Sequence, residues 1–238
     1  MKRNVAPLNP QALLLEGGGE FKGAMAAADR AALQLAGGRP VVIVPAAAVP
    51  EGGQAQAGAN GVSWFEGLGV AEARTTGWVD GRSGRDAGIA RMVAAAGLIF
   101  LPGGSPRYLA DALRAGLVRQ AITEAQRRGA VIGGSSAGAM VLCEVYFDPA
   151  AKQVLPGLNL VPGSCILPHH DTYGRAWAPR VARMAAGKVL VGIDEETGML
   201  NDAPDGRWTV YGRGAVTVYG AGREDVYRSG ERFELPGL

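Results

Sequence analysis

Residues 134–138 read Gly-Ser-Ser-Ala-Gly, a G-x-S-x-G pattern directly behind the apolar run Ala130-Val131-Ile132-Gly133. The chemistry this arrangement suits is nucleophilic acyl transfer. A strand that ends in such a segment turns sharply into a helix, and the flanking glycines relieve the clashes of a strained serine. Ser136 then stands clear of the sheet edge. The next N–H, that of Ala137, sits at a helix N-terminus where it can face a developing oxyanion. The competing reading is a glycine-rich strand-to-helix turn with incidental serines.

A serine hydroxyl is a weak nucleophile until a base takes its proton. The chain has two histidines, His169 and His170, adjacent in Leu167-Pro168-His169-His170-Asp171. A histidine base is therefore one of these, unless the pair is simply a polar turn. A base needs an orienting group. The candidate carboxylates are Asp148, Asp171, Asp194, Glu195 and Glu196, and spacing does not choose among them because triad order differs between folds. A Ser–Lys dyad is formally open, but no lysine has a suggestive setting. Gly103-Gly104, between an apolar strand and a helix, offers further N–H groups for an oxyanion hole. Arg107 and Arg175 lie beside these segments, and either guanidinium could hold a substrate carboxylate bidentately. Gly17-Gly18-Gly19-Glu20-Phe21-Lys22-Gly23 is rich in glycine but matches neither the dinucleotide nor the P-loop spacing.

These residues must be placed by an alternation of strands and helices. Ala12–Leu15, Val41–Val44 and Gly97–Leu101 are short apolar runs that read as buried strands, with a weaker strand over Val70–Thr75. Phe21–Ala36, closed by Gly37-Gly38, and Asp86–Ala96 read as helices. Residues 50–60 read as a loop or as the start of a helix running to Leu68. Ser105 is a good N-cap with Pro106 behind it, and helix continues to Arg128 with an interruption at Gly116. The pattern predicts a largely parallel sheet with helices on both faces. It sets three glycine-bearing strand ends on one edge: Gly17–Gly19, Gly103-Gly104 and the Ser136 turn. Near the C-terminus, Trp208–Tyr211 and Ala215–Tyr219 read as a hairpin or antiparallel pair.

The bulk properties fit that fold. A length of 238 residues, 47% hydrophobic and 19% charged, predicts one globular α/β domain over 1–238. A net charge of +2 gives no case for nucleic acid. The opening Met1-Lys2-Arg3 is basic, but Ala12–Leu15 is too short for a signal peptide, and no run reaches membrane-spanning length. Cys143 and Cys165 make no disulfide framework and predict buried thiols in a reducing cytoplasm. Two cysteines and two adjacent histidines are a poor zinc set, so neither metal nor cofactor is expected.

Four segments, in order, resemble the S51 serine peptidase family, which contains dipeptidase E and cyanophycinase. They are Phe100-Leu101-Pro102-Gly103-Gly104, Gly134-Ser135-Ser136-Ala137-Gly138-Ala139, Pro168-His169, and Gly192-Ile193-Asp194-Glu195-Glu196-Thr197 followed by Gly212-Arg213-Gly214-Ala215-Val216-Thr217-Val218. The likeness spans roughly Leu13 to Tyr219. It implies a three-layer αβα sandwich, flavodoxin-like and akin to class I glutamine amidotransferases. It further implies Ser136 as nucleophile, His169 as base, and an oxyanion hole from Gly104 and Ala137. In the family the acidic partner lies between serine and histidine in sequence. Asp148 fits that interval best, with Glu144 nearby and Glu195 or Glu196 as alternatives. The family's arginine after the histidine falls in the region of Arg175. Ser105-Pro106 after the Gly-Gly turn, Leu167-Pro168 before the histidine and His170 after it depart from the family pattern. They argue against cyanophycin as substrate and resemble the dipeptidase branch more closely.

The resulting expectation is a cytoplasmic serine exopeptidase of short peptides, of dipeptidase or carboxypeptidase type. Its catalytic set is Ser136, His169 and Asp148, with Arg107, Arg175 and His170 touching substrate. The competing expectations are another amide or ester hydrolase on the same elbow, a cyanophycinase-like enzyme included, and an inactive binding protein of the same fold. The tail strands and Trp208 permit a homodimer. No nucleic acid or membrane partner is expected.

Overall fold

The computed structural model describes residues 12–77, 80–114, 116–202, 205–220 and 222–235; the basic opening Met1-Lys2-Arg3 lies outside them. Through the first 142 residues strand and helix alternate as β1 (Leu13–Glu16), α1 (Ala26–Ala36), β2 (Val41–Ile43), α2 (Gln54–Gly67), β3 (Ala73–Thr75), α3 (Ala87–Ala95), β4 (Leu98–Leu101), α4 (Pro106–Leu113), α5 (Leu117–Arg127), β5 (Val131–Ser135) and α6 (Ala137–Leu142). The local signals act as their chemistry dictates. The Asp86 carboxylate caps α3 by accepting from the Gly88 and Ile89 N–H groups. Ser105 caps α4 through Tyr108 N–H, with Pro106 at the first helical position. Gly116, at φ 89°, separates α4 from α5. Residues 50–60 are not a loop: a 3-10 turn, Pro45–Glu51, leads into α2.

The remainder is mostly strand: β6 (Val145–Asp148), β7 (Gln153–Pro156), β8 (Ser164–Leu167), β9 (Val189–Ile193), β10 (Thr197–Leu200), β11 (Trp208–Gly212), β12 (Ala215–Gly220), β13 (Arg223–Arg228) and β14 (Arg232–Phe233), with α7 (Ala178–Met184) between β8 and β9. An 8-stranded sheet runs β14-β11-β10-β1-β5-β4-β2-β3. It is parallel from β1 to β3 and antiparallel where β10, β11 and β14 extend it. A 4-stranded sheet, β13-β12-β9-β8, stands beside it.

One expectation needs correction. Trp208–Tyr211 and Ala215–Tyr219 do not pair with each other. The first belongs to the large sheet, against β10 and β14, and the second to the small sheet, against β9 and β13. The chain changes sheets at Gly212-Arg213-Gly214. The C-terminal antiparallel hairpin is β12 with β13.

Both faces of the parallel strands are buried, so their sequences are continuously apolar, and alternate side chains serve two cores. Leu14, Val41, Ile43, Leu98, Phe100 and Val131 face α1 and α2. Leu13, Leu15, Val42, Ile99, Leu101 and Ile132 face α3, α4 and α5, in a cluster that also takes in Ile166, Leu190, Val191 and Val216 of the small sheet. This is the three-layer α/β arrangement that the alternation predicts. Strands β1, β5 and β4 are neighbours, so their C-terminal ends bring Gly17–Gly19, Ser136 and Gly103-Gly104 to one edge.

Candidate active site

Ser136 sits between β5 and α6 at φ 49° and ψ −113°, a conformation L-residues rarely adopt. Its surroundings enforce it. The Ser136 N–H donates to the Glu16 carbonyl at 3.0 Å, while its own carbonyl accepts from Met140 N–H at 2.9 Å and starts the helix. A side chain at Gly138 would collide with the Leu101 carbonyl, and one at Gly134 with the Gly138 backbone. The glycines of G-x-S-x-G are thus needed for close packing of the helix on two strands.

The Ser136 hydroxyl lies 2.8 Å from His169 Nε2, and His169 Nδ1 lies 3.0 Å from Glu195 Oε1. An ionised carboxylate only accepts, so Nδ1 carries the proton and Nε2 is left to accept from the serine. Ser136 and His169 come from different sheets. His169 follows β8 and Glu195 follows β9, adjacent parallel strands of the small sheet. His169 is pinned at φ 50°; its N–H donates to the Gly17 carbonyl, and its carbonyl receives the N–H groups of Thr172, Tyr173 and Gly174. The Gly17–Gly19 loop lies against the imidazole, and a Cβ on Gly18, itself at φ 140°, would strike the ring. That loop beds the histidine. Tyr173 stacks on the ring, centroids 4.9 Å apart. Glu196, next to Glu195, is also at positive φ, 50°. Left-handed residues at the serine, the histidine and beside the glutamate cost on the order of 1 kcal/mol each, strain of a kind that collects where geometry matters for function.

Both nitrogens of His169 are engaged, and Asp148 is not among their partners. The Asp148 carboxylate accepts from the N–H groups of Ala150 and Ala151 and lies 4.0 Å from the Arg107 guanidinium. The other acids are placed as well. Asp171 accepts from Glu195 N–H at 2.9 Å and so fixes that residue's backbone. Asp194 accepts from Ala215 N–H and lies 3.4 Å from His170. Glu196 pairs with Arg213, and Glu144 with Lys188.

His170 is buried, with Nε2 2.7 Å from the Tyr219 hydroxyl, and burial lowers its pKa. Its N–H donates to the Ile193 carbonyl of β9, so the residue braces the small sheet. Arg175 is held by Glu224 at 2.6 Å, in a groove that contains none of Ser136, His169 and Glu195. Arg107 keeps an exposed guanidinium in the first turn of α4. The Gly104 and Ala137 N–H groups have no protein acceptor among the described residues. Gly103 N–H, by contrast, donates to Glu20 Oε1 at 2.9 Å, and Ser135 Oγ donates to Glu20 Oε2 at 2.9 Å. Nothing in the spacing of Glu20 marks it in the sequence as a residue that bonds two other strand ends. Beside it, a cleft of about 610 Å³ is walled by Phe21, Asn60, Trp64 and Pro102. Cys143 and Cys165 are buried and unpaired, and burial raises both thiols, Cys143 to about 11. Among the described residues no cluster of His, Cys, Asp or Glu has the makings of a metal site.

A family model, Peptidase family S51, matches residues 13–202. The chain belongs to peptidase family S51. It is thus a serine-type peptidase. Among solved structures it is similar to a peptidase from an acI-B1 Actinobacterium, at 26% identity and a TM-score of 0.83, over 94% of this chain and 96% of that one. A putative peptidase E protein from Listeria monocytogenes EGD-e shares the fold at 18% identity and a TM-score of 0.61, over 88% of this chain and 98% of that one. No curated protein matches the sequence. No helix among the described residues is long and apolar enough to cross a membrane.

Proposed function

We propose that this S51 peptidase is an exopeptidase of short peptides in which Ser136 is the nucleophile, His169 the general base and Glu195 its orienter. The observation that carries the reading is the continuous relay from Ser136 Oγ to His169 Nε2 at 2.8 Å and from His169 Nδ1 to Glu195 Oε1 at 3.0 Å. His169 takes the serine proton as Oγ attacks the scissile carbonyl, and then gives it to the departing amine. Water, deprotonated by the same imidazole, hydrolyses the acyl-enzyme and restores Ser136. Glu195 holds the tautomer that leaves Nε2 free and stabilises the imidazolium. The N–H groups of Gly104 and Ala137, free of acceptors among the described residues, receive the oxyanion; one such donor typically supplies roughly 3 kcal/mol. Arg107, three residues beyond Gly104 with its head exposed, reads a free carboxylate of the substrate.

The test is a mass-spectrometric screen of wild type and Ser136→Ala against short peptides with free and blocked ends. Loss of a single end residue by wild type alone supports the reading, and the blocked-end peptides say which terminus is read. Internal cleavage insensitive to blocking would overturn the exopeptidase assignment, and equal cleavage by both proteins would overturn the role of Ser136.

A further inference from the structure

We propose that Glu20 is a positioning residue: its carboxylate ties the Gly103-Gly104 turn to the Ser136 elbow and so fixes the oxyanion hole. The inference rests on the peptidase reading above and adds to it a residue outside the Ser–His–Glu relay. Glu20 follows the end of β1, and its two oxygens are shared between two other strand ends. Oε1 accepts from Gly103 N–H beyond β4, and Oε2 accepts from the Ser135 hydroxyl at the end of β5, each at 2.9 Å. Because β5 lies between β1 and β4, the glutamate reaches across the elbow strand. Glu20, Gly103 and Ser136 meet at one point. A methyl placed on Gly103 would sit 3.1 Å from Glu20 Oε1, 3.4 Å from Ser136 Cβ and 3.8 Å from Ser136 Oγ.

Two consequences follow from hydrogen-bond accounting. Ser135 is buried, so its hydroxyl needs an acceptor, and Glu20 supplies it. Gly103 N–H is consumed by the carboxylate, which leaves the next N–H, that of Gly104, for the substrate. Without the bridge, the turn and the elbow are free to shift against each other, and a misplacement of about 1 Å in an active site costs on the order of 100-fold in rate. Glutamine at this position keeps the bridge without the charge: its carbonyl accepts from Gly103 N–H and its amide donates to Ser135 Oγ, while the Ser135 hydroxyl proton gives up its acceptor.

The experiment compares Glu20→Ala, Glu20→Gln, Ser135→Ala and the Glu20→Ala/Ser135→Ala double variant on the peptide that wild type cleaves, with affinity for a peptide boronate and the NMR shift of the Gly103 amide measured in each. Glu20→Ala should lower kcat roughly 10- to 100-fold with KM little changed, and weaken boronate binding in parallel. Glu20→Gln should restore most of both. The double variant should lose less than the product of the single losses, as residues in one network do. The Gly103 amide should move upfield in Glu20→Ala and stay close to wild type in Glu20→Gln. Wild-type kcat in Glu20→Ala would overturn the proposal. So would a loss of equal size in Glu20→Gln expressed in KM, selective for substrates with a free amino group or a basic side chain; that result assigns Glu20 to reading charge. An inactive wild type would count against the peptidase reading alone, and the Gly103 amide would then decide the bridge: no shift in Glu20→Ala overturns it.

Discussion

At the scale of single residues, the relay makes a sharp distinction between two acids. Glu195 touches His169, while Asp148 is spent on the N–H groups of Ala150 and Ala151. Glu195→Gln should therefore reduce kcat by roughly 100- to 10,000-fold, because a neutral amide neither enforces the tautomer nor stabilises the imidazolium. Asp148→Asn should stay within a few-fold of wild type in kcat and lose at most about 1 kcal/mol of stability from the weakened turn. Steady-state kinetics on both variants checks this, and a large loss only in Asp148→Asn would invert the assignment. The contact between Ser136 and His169 was legible in steps: a G-x-S-x-G turn marks the serine, the chain's two histidines narrow its partner to a pair, and the S51-like Pro168-His169 segment chooses between them. The glutamate was not. Asp194, Glu195 and Glu196 are consecutive, and the way each side chain turns as β9 ends decides the matter. They go respectively to Ala215 N–H and His170, to His169, and to Arg213. Interval in the sequence, which favours Asp148, carries no information about that direction.

At the scale of elements, strand ends do the positioning, and two of them support predictions. The Gly17–Gly19 loop lies against the His169 ring, so Gly18→Ala should displace the imidazole without removing any core contact. Activity should drop at least 10-fold while the thermal midpoint moves by only a few degrees; near-normal turnover would show that the loop yields and the histidine stays. One residue earlier, β1 ends in Glu16, fully buried beside Asp29 of α1, which also accepts from Trp64 Nε1. Burial, and then repulsion from Asp29 and Glu20, holds the Glu16 carboxyl far above its usual range; burial brings Asp29 to about 7. An acid whose folded pKa exceeds its unfolded value binds its proton more tightly when folded. Its stability contribution is therefore complete below about pH 4 and declines as pH rises through 7. Glu16→Gln should flatten that decline, so the urea midpoint of the variant should change less than that of wild type between mildly acidic and mildly alkaline buffer. A steeper fall in the variant would mean that the pair is stabilised as an ion. The buried strands were readable from their apolar runs and the helices from their caps. The change of sheet at Gly212–Gly214 was not, because period-2 alternation marks a strand without naming its partner.

At the scale of the whole molecule, the site straddles a seam. Ser136 belongs to the large sheet and His169 and Glu195 to the small one, so Ser136 meets His169 only while the sheets stay docked. Two kinds of contact hold them. Backbone bonds cross directly, with His169 N–H on the Gly17 carbonyl and Glu196 N–H on the Gly18 carbonyl. Beneath these, one apolar cluster joins Leu13, Ile132 and Met140 to Ile166, Leu190, Val191 and Val216. A shared core of this kind makes parting of the sheets nearly as costly as unfolding, since each would expose apolar area at roughly 25 cal/mol per Å². The expected result is one cooperative transition. In urea, tryptophan fluorescence, whose four reporters include Trp64 and Trp208 on the large-sheet side and Trp177 near the small sheet, should share its midpoint with labelling of Ser136 by a fluorophosphonate. A chain of 238 residues is long enough for this to fail. Loss of labelling well before the fluorescence change would show that the sheets separate first, and that the relay is held by the thin set of backbone bonds at the seam instead of by the common core.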